Sequence, residues 1–216
     1  MQAAARRLRR CCSPKSRAPI AAPIKVLTSR TGAIWLTGAT VIGHQRIAFL
    51  GGNPQRSTGQ ERLLGYRQAL ARWKLPFDPL LVRPSVPNRR GGFDGVPKLL
   101  QLNERPTAAL CFNDVVALGA MEALQQLGIK PGAAFGIVGF NNIPEAAQSV
   151  PGLTTIDTAP RQLGEAAAEL LLKRIERRDA PRQAMILEPR LVVRDSCGVS
   201  PDQMPDHPRS PRSTKL

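Results

Sequence analysis

The chain has 216 residues, of which 42% are hydrophobic, and this is enough to form the core of one ordinary domain. No run of apolar residues approaches the roughly 18 to 20 that a membrane-spanning helix needs, so the sequence predicts no membrane partner. The net charge of +15 would suit a nucleic-acid partner, but more than half of the excess lies in the terminal segments 1–43 and 199–216. The sequence between them is much less basic than the whole chain.

The terminal segments, residues 1–42 and 199–216, are rich in alanine, proline and arginine and show no sustained hydrophobic periodicity. This composition is typical of disordered or out-of-frame sequence rather than of a nucleic-acid-binding arm, although the charge alone predicts weak, non-specific binding to nucleic acid. The basic start is not followed by the apolar segment that a signal peptide needs, so we expect a cytoplasmic protein.

The first ordered elements are predicted to be a strand and an amphipathic helix. Ile47–Leu50 is a short apolar run closed by two glycines, as in a buried parallel strand. Thr58–Glu61 has the pattern of a capping box, and apolar residues then recur at helical spacing as far as Trp73.

The alternation of strand and helix continues along the chain. Further strands are predicted at Leu80–Val82, Ala108–Phe112, Phe135–Phe140, Leu153–Ile156, Met185–Leu187 and Leu191–Val193. Further helices are predicted around Phe93–Leu100, from Asn113 or Asp114 to a stop at Gly128, and from Pro160 to about Arg177. Strands that alternate with crossover helices form a parallel sheet covered on both faces, so the predicted fold class is α/β.

In an open α/β sheet, ligands bind at the carboxyl ends of the strands, where loops and helix N-termini converge. The polar residues that follow the first, third and fourth of these strands are Asn53, Arg56, Ser57, Arg62, Asn113, Asp114, Asn141 and Asn142. Their amide and guanidinium groups suit a hydroxyl-rich or planar polar ligand better than a proton-transfer reaction. Structural roles are the alternative: Asp114 fits a helix cap, the asparagines fit turns, and the arginines fit solvent-exposed positions.

No catalytic motif is recognisable. The chain has no G-x-S-x-G elbow, no Walker A loop and no G-x-G-x-x-G after a strand. His44 precedes the first strand, at the wrong edge of the sheet for a catalytic partner, and the four cysteines have neither zinc-site nor redox spacing. We therefore expect a binding protein rather than an enzyme, without a metal or cofactor.

Six segments resemble, in order and spacing, the effector-binding region of LacI/GalR family transcription regulators. They are Gly43–Gly52, Arg62–Tyr66, Pro106–Asp114, Val138–Pro144, Leu153–Ile156 and Pro189–Cys197. The resemblance covers residues 43–198 and implies a periplasmic-binding-protein-like (type I) fold, in which two α/β lobes surround a ligand cleft. Residues 43–198 would then be a ligand-sensor domain formed by one lobe with remnants of the second.

By this resemblance, Arg62, Asn113 and Asn141 occupy the positions whose side chains hold the effector, a sugar or similar polar metabolite. Asn141 and Asn142 stand where acids are usual in the family, so the site carries less negative charge than in many relatives. The resemblance also implies a homodimer, formed through the helix Val115–Leu127 and the loop Ile143–Val150.

Residues 1–42 show none of the helical pattern of the helix-turn-helix with which this family reads its operator. We therefore expect a truncated or frameshifted regulator whose specific contact with DNA depends on a missing helix-turn-helix. The alternative is a stand-alone sugar-binding protein of the periplasmic type, which the missing signal peptide and first lobe disfavour.

Overall fold

The computed structural model describes residues 24–26, 43–177 and 185–198. They fall into two compact units. The larger contains residues 43–159 and 188–198, and the smaller contains residues 160–177 and 185–187 together with residues 24–25. Within the lead predicted to be unstructured, strand β1 (Ile24–Val26) is described, and the rest of residues 1–42 and the tail 199–216 lie outside the described residues.

The larger unit contains a six-stranded sheet with the order β3-β2-β4-β5-β6-β8. Its strands are β2 (Ile47–Leu50), β3 (Val82–Arg83), β4 (Ala108–Cys111), β5 (Gly136–Phe140), β6 (Thr154–Asp157) and β8 (Arg190–Val192). The first five run parallel, and β8 pairs antiparallel with β6. The predicted α/β class and parallel sheet are confirmed.

The helices of this unit are α1 (Ser57–Arg72), α2 (Arg89–Leu100), α3 (Asp114–Gln126) and the short α4 (Pro144–Gln148). In the smaller unit, α5 spans Pro160–Glu176, and β1 pairs with β7 (Met185–Leu187) in a two-stranded sheet. Helix α5 begins at Pro160 as predicted, because proline lacks the N–H that a first-turn residue leaves unpaired.

Alternate residues of the parallel strands enter two separate cores. On one face, residues such as Leu50, Ala109 and Ile137 pack with buried side chains of α2 and α3. On the other, residues such as Phe49 and Leu110 pack in a cluster with buried side chains of α1. Each fully buried leucine contributes roughly 1.5 to 3 kcal/mol, so both helix layers are needed to hold the sheet.

Helices α2 and α3 approach each other closely because glycines lie at their contact. A Cβ atom on Gly92 would lie 1.9 Å from the Val116 carbonyl oxygen, and one on Gly119 would lie 1.9 Å from the Arg89 carbonyl oxygen. Any larger residue would push these helices apart and displace their N-terminal ends from the carboxyl edge of the sheet.

Two local predictions are wrong. Leu80–Val82 was expected as a strand, but Pro79–Leu81 is a 3-10 turn because the Asp78 carboxylate accepts a hydrogen bond from the Leu80 N–H and proline takes its first position. The strand is limited to Val82–Arg83. The capping box at Thr58–Glu61 does not form either, since α1 already begins at Ser57 and its N-cap, Arg56, makes no side-chain cap.

Candidate functional site

The loops that follow β2, β4 and β5 meet at one edge of the sheet because these strands are parallel neighbours. After β2 the chain turns through Gly51 and Gly52, whose φ angles of +92° and +79° are left-handed. After β5, Asn141 and Asn142 adopt φ angles of +117° and +54°. Asparagine tolerates positive φ better than most residues, so this loop depends on its amide residues for its conformation as well as for its polarity.

Arg62 of α1 reaches the ends of β4 and β5. Its Cζ atom lies 4.3 Å from the ring centroid of Phe112 and 3.9 Å from that of Phe140. The Nη1 atom donates a hydrogen bond to the Phe112 carbonyl oxygen. Cation–π contacts of this kind contribute about 0.5 to 2 kcal/mol each and fix the guanidinium in place.

The Nε atom of Arg62 is buried and has no hydrogen-bond partner among the described residues. Burial lowers the pKa of Arg62 to about 10, and the negative charges of Asp114 and Glu61 oppose this shift. The guanidinium therefore stays protonated at neutral pH. A buried donor without an acceptor costs about 1 to 3 kcal/mol, so the site holds an unsatisfied charged donor.

Asn113 follows β4 and is the N-cap of α3. Its Oδ1 atom accepts a hydrogen bond of 2.9 Å from the Val116 N–H, and its Nδ2 atom lies 3.5 Å from the Pro87 carbonyl oxygen. The two cap candidates are thereby resolved, because Asn113 caps the helix and Asp114 is its first residue. The cap given as the structural alternative for Asp114 thus belongs to Asn113, whose half-buried side chain follows Phe112 at the end of β4.

Asn141 and Asn142 differ in how their side chains are used. The Asn142 side chain is bonded within the protein both as an acceptor and as a donor. Its Oδ1 atom accepts a 2.9 Å hydrogen bond from Arg194, and its amide group donates to Asp157. Among the described residues, Asn141 makes its hydrogen bond through its backbone N–H, which donates to the Ile156 carbonyl oxygen at 2.9 Å. The Asn141 amide is therefore the one available to a ligand.

Asp114 is buried and its carboxylate holds the loop after β5. It accepts a 2.8 Å hydrogen bond from the Ile143 N–H and another from the Thr155 hydroxyl. Burial raises its pKa, while hydrogen bonds from Thr155 and from the backbone N–H groups of Ile143, Phe140 and Asn142 oppose that rise. Asp114 thus fixes the left-handed loop conformation at Asn141 and does not face a ligand.

The structure thus brings Arg62 against the residues that precede Asn113 and Asn141, namely Phe112 and Phe140. Sequence reasoning missed both rings as site residues, because each closes a buried apolar strand and looks like ordinary core. The sequence does contain a signal that could have identified the two rings. In each case an aromatic residue stands immediately before a polar residue at the end of a strand, and the two strands are neighbours.

Residues 43–177 and 185–198 contain no group of three or more histidine, cysteine or acidic side chains that could hold a metal ion. No helix within these ranges has the length and apolar character needed to span a bilayer.

Residues 41–197 match the family model of the periplasmic binding protein-like domain. The ribose operon repressor of Haemophilus influenzae is 36% identical over 154 residues, and the HTH-type transcriptional repressor PurR of Vibrio parahaemolyticus is 36% identical over 160 residues. Each alignment covers 71% of this chain and 46% of the relative, so the chain spans about half the length of these curated relatives.

A solved structure is also similar to the chain. It is a LacI family transcriptional regulator from Enterococcus faecium with bound ribose, and it matches with a TM-score of 0.78 and 26% identity. The match covers 85% of this chain and 68% of that one.

Proposed function

The chain belongs to the periplasmic-binding-protein-like domain family, and from that premise we propose that it is the effector-sensing part of a LacI/GalR-type transcriptional repressor. In this proposal Arg62, Asn113 and Asn141 hold a small polar effector at the carboxyl edge of the sheet. The chain binds the effector and does not transform it, and the effector's presence is transmitted to an operator-reading region of the whole regulator.

The observation that carries the proposal is the unsatisfied Arg62 Nε atom. A folded domain gains nothing from desolvating a guanidinium donor and leaving it unpaired, whereas a ligand oxygen at that position would recover the lost hydrogen bond. The two phenylalanine rings hold the guanidinium at the strand ends, and the Asn141 amide lies after the same strand as one of these rings.

The relatives support both halves of the proposal. The curated relatives are named as repressors, one of a ribose operon, and the similar solved structure contains ribose. A polar small molecule is therefore the effector class that we propose, and control of transcription is the role that we propose for the whole regulator.

A thermal-shift titration with a panel of neutral sugars, sugar phosphates and sugar acids tests this function. At least one member should raise the melting temperature of the chain by several degrees, since a ligand at 100 times its Kd stabilises by about 2.7 kcal/mol. Arg62→Met should abolish that shift while the protein stays folded, because methionine keeps the apolar contact with the rings and removes the donors.

The matched control is Arg67→Met, on the same helix, where the guanidinium lies 4.5 Å from the Phe77 ring, away from the strand ends. This variant should keep the full ligand-induced shift. The function would be refuted if no member of the panel stabilised the chain, or if Arg62→Met responded like the unsubstituted protein.

We also propose that the chain forms a homodimer through α3 and the loop 143–150. Leu127 and Val150 are 52% and 83% exposed, and a 2.7 Å hydrogen bond from Gln125 to the Val150 carbonyl oxygen holds this loop against the end of α3. Light scattering should give the dimer mass at tens of micromolar, and Val150→Asp should shift it to the monomer. The control Leu80→Asp, at a residue 58% exposed elsewhere, should leave the dimer intact.

A further inference from the structure

The loops at the carboxyl edge of the sheet contain amides and an arginine but no acidic residue. This holds for residues 51–56, 84–88, 112–113 and 141–143, which follow β2, β3, β4 and β5. The fifth parallel strand, β6, ends in Asp157, whose carboxylate is paired with Arg190 at 3.1 Å. The acids closest in sequence to these loops are Glu61, Glu145 and Asp114, of which the first two have exposed side chains. The four loops after β2, β3, β4 and β5 therefore carry no negative charge of their own.

The buried acid, Asp114, has both carboxylate oxygens bonded within the protein. It is fully buried, and one oxygen accepts from the Thr155 hydroxyl while the other accepts from the Ile143 N–H. Burial and these two bonds keep the carboxylate away from a ligand. Hydroxyl groups of a neutral sugar would find no free carboxylate among these residues.

Arg62, in contrast to a carboxylate, offers a positive charge and hydrogen-bond donors to a ligand. Its guanidinium carries a full positive charge, is largely buried, and has a free Nε–H donor. Asn141, directly after β5, adds an amide. The strand ends thus offer a positive charge and amide groups to a ligand, and no free negative charge.

We propose that the effector is an anionic metabolite, with a phosphate or carboxylate group that binds Arg62 beside Asn141. This inference rests on the proposed function and specifies the chemistry of its effector. An anionic oxygen makes a charge-assisted hydrogen bond with a guanidinium, and such bonds are about twice as strong as neutral ones. One to two such bonds correspond to about a 10- to 100-fold gain in affinity over the neutral analogue.

Isothermal titration of the full chain with matched probes tests the inference. The pairs are ribose with ribose 5-phosphate, and glucose with glucose 6-phosphate and with gluconate, and inorganic phosphate is titrated alone. At least one anionic probe should bind about tenfold or more tightly than its neutral partner, with an affinity that falls as salt rises. The phosphate and carboxylate arms show which anion the site prefers.

The outcomes separate the inference from the function on which it rests. Equal or tighter binding of a neutral sugar overturns the anionic effector and leaves the sensor function standing. Failure of every probe, neutral and anionic, counts against both. Binding of inorganic phosphate that Arg62→Met leaves unchanged also overturns the inference, because the anion then binds elsewhere.

A charge substitution provides the second test. Asn141→Asp places a carboxylate at the site, and aspartate tolerates the positive φ of this position nearly as well as asparagine. The variant should weaken binding of the anionic probe about tenfold or more and leave the neutral analogue unaffected or tighter. Its control, Asn103→Asp, makes the same charge change in an exposed turn that precedes β4 and should stay within about twofold of the parent. Unchanged anion affinity in Asn141→Asp would overturn the inference.

Discussion

Replacing Gly139 with alanine should destabilise the protein by acting on the Asp114 carboxylate, which holds the loop after β5. Gly139 lies within β5, opposite Thr155 of β6, and its φ is not left-handed, so an alanine there causes no backbone strain. The added Cβ atom would lie 2.1 Å from the Asp114 Oδ1 atom and 3.1 Å from the Leu153 Cδ2 atom. Both neighbours belong to the packed interior, so neither can simply move aside.

The expected loss of stability has two parts, which are the overpacking of the core and the loss of a hydrogen bond of Asp114. Overpacking a core by one methyl group costs about 1 to 3 kcal/mol. A carboxylate pushed away from Gly139 also loses one of its charge-assisted bonds, to the Ile143 N–H or the Thr155 hydroxyl, at about 1.5 to 3 kcal/mol. We expect Gly139→Ala to lower the free energy of unfolding by about 3 to 6 kcal/mol, a large part of the stability of a typical domain.

Urea denaturation followed by circular dichroism measures this difference, and Gly164→Ala is the matched control. Gly164 is exposed in α5, and a Cβ atom there would meet nothing within 4 Å. The same substitution should therefore stabilise that helix by about 0.5 to 1 kcal/mol through its helix propensity. A loss below about 1 kcal/mol in Gly139→Ala would refute the assignment of Asp114 as the residue that fixes the loop.

Three further substitutions test other parts of the structure by the same unfolding measurement. Tyr66→Phe should cost about 1 to 2 kcal/mol, because the hydroxyl donates a 2.8 Å hydrogen bond to a buried backbone carbonyl of β2, and an unchanged stability would contradict that bond. Asn113→Ala should cost about 1 kcal/mol through the lost cap and also weaken effector binding, whereas intact binding would remove Asn113 from the site. Hydrogen bonds from the Leu80 N–H and then from Arg46 lower the pKa of Asp78. The contribution of Asp78 to stability is therefore present above its unfolded pKa of about 3.9 and is lost as pH falls through the lowered folded pKa. Asp78→Asn should reduce this loss of stability at acid pH, and an unaltered pH profile would show that the ion pair with Arg46 does not stabilise the fold.

The order of strands and helices was predictable because burial imposes simple patterns. Each parallel strand is covered on both faces, so it is a continuous apolar run, and each helix carries an apolar stripe at helical spacing. The rule that ligands bind at the carboxyl ends of the strands pointed to loops that the structure brings together at one edge of the sheet, and their role in binding stays a prediction. Pro160 marked the start of α5 because proline suits the first turn of a helix, and such a preference of a single residue is visible in the sequence.

The failed predictions depended on contacts between residues distant in sequence, or on a choice between equally good local signals. Asn113 and Asp114 both fit an N-cap, and only the burial of Asp114 beneath Gly139 assigns them different roles. Thr58–Glu61 matched a capping box, yet the helix begins two residues earlier than the box requires. The packing of Arg62 on Phe112 and Phe140 joins three elements and leaves no periodic pattern.

A crystal structure of the chain with the tightest-binding member of the sugar panel tests the proposed sensor site most directly. The site predicts that an acceptor oxygen of the ligand lies within about 3.2 Å of the Arg62 Nε atom, beside the amide of Asn141 and at the carboxyl ends of β4 and β5. A ligand bound elsewhere, with the guanidinium still on Phe112 and Phe140 and its Nε atom still unpartnered, would contradict it.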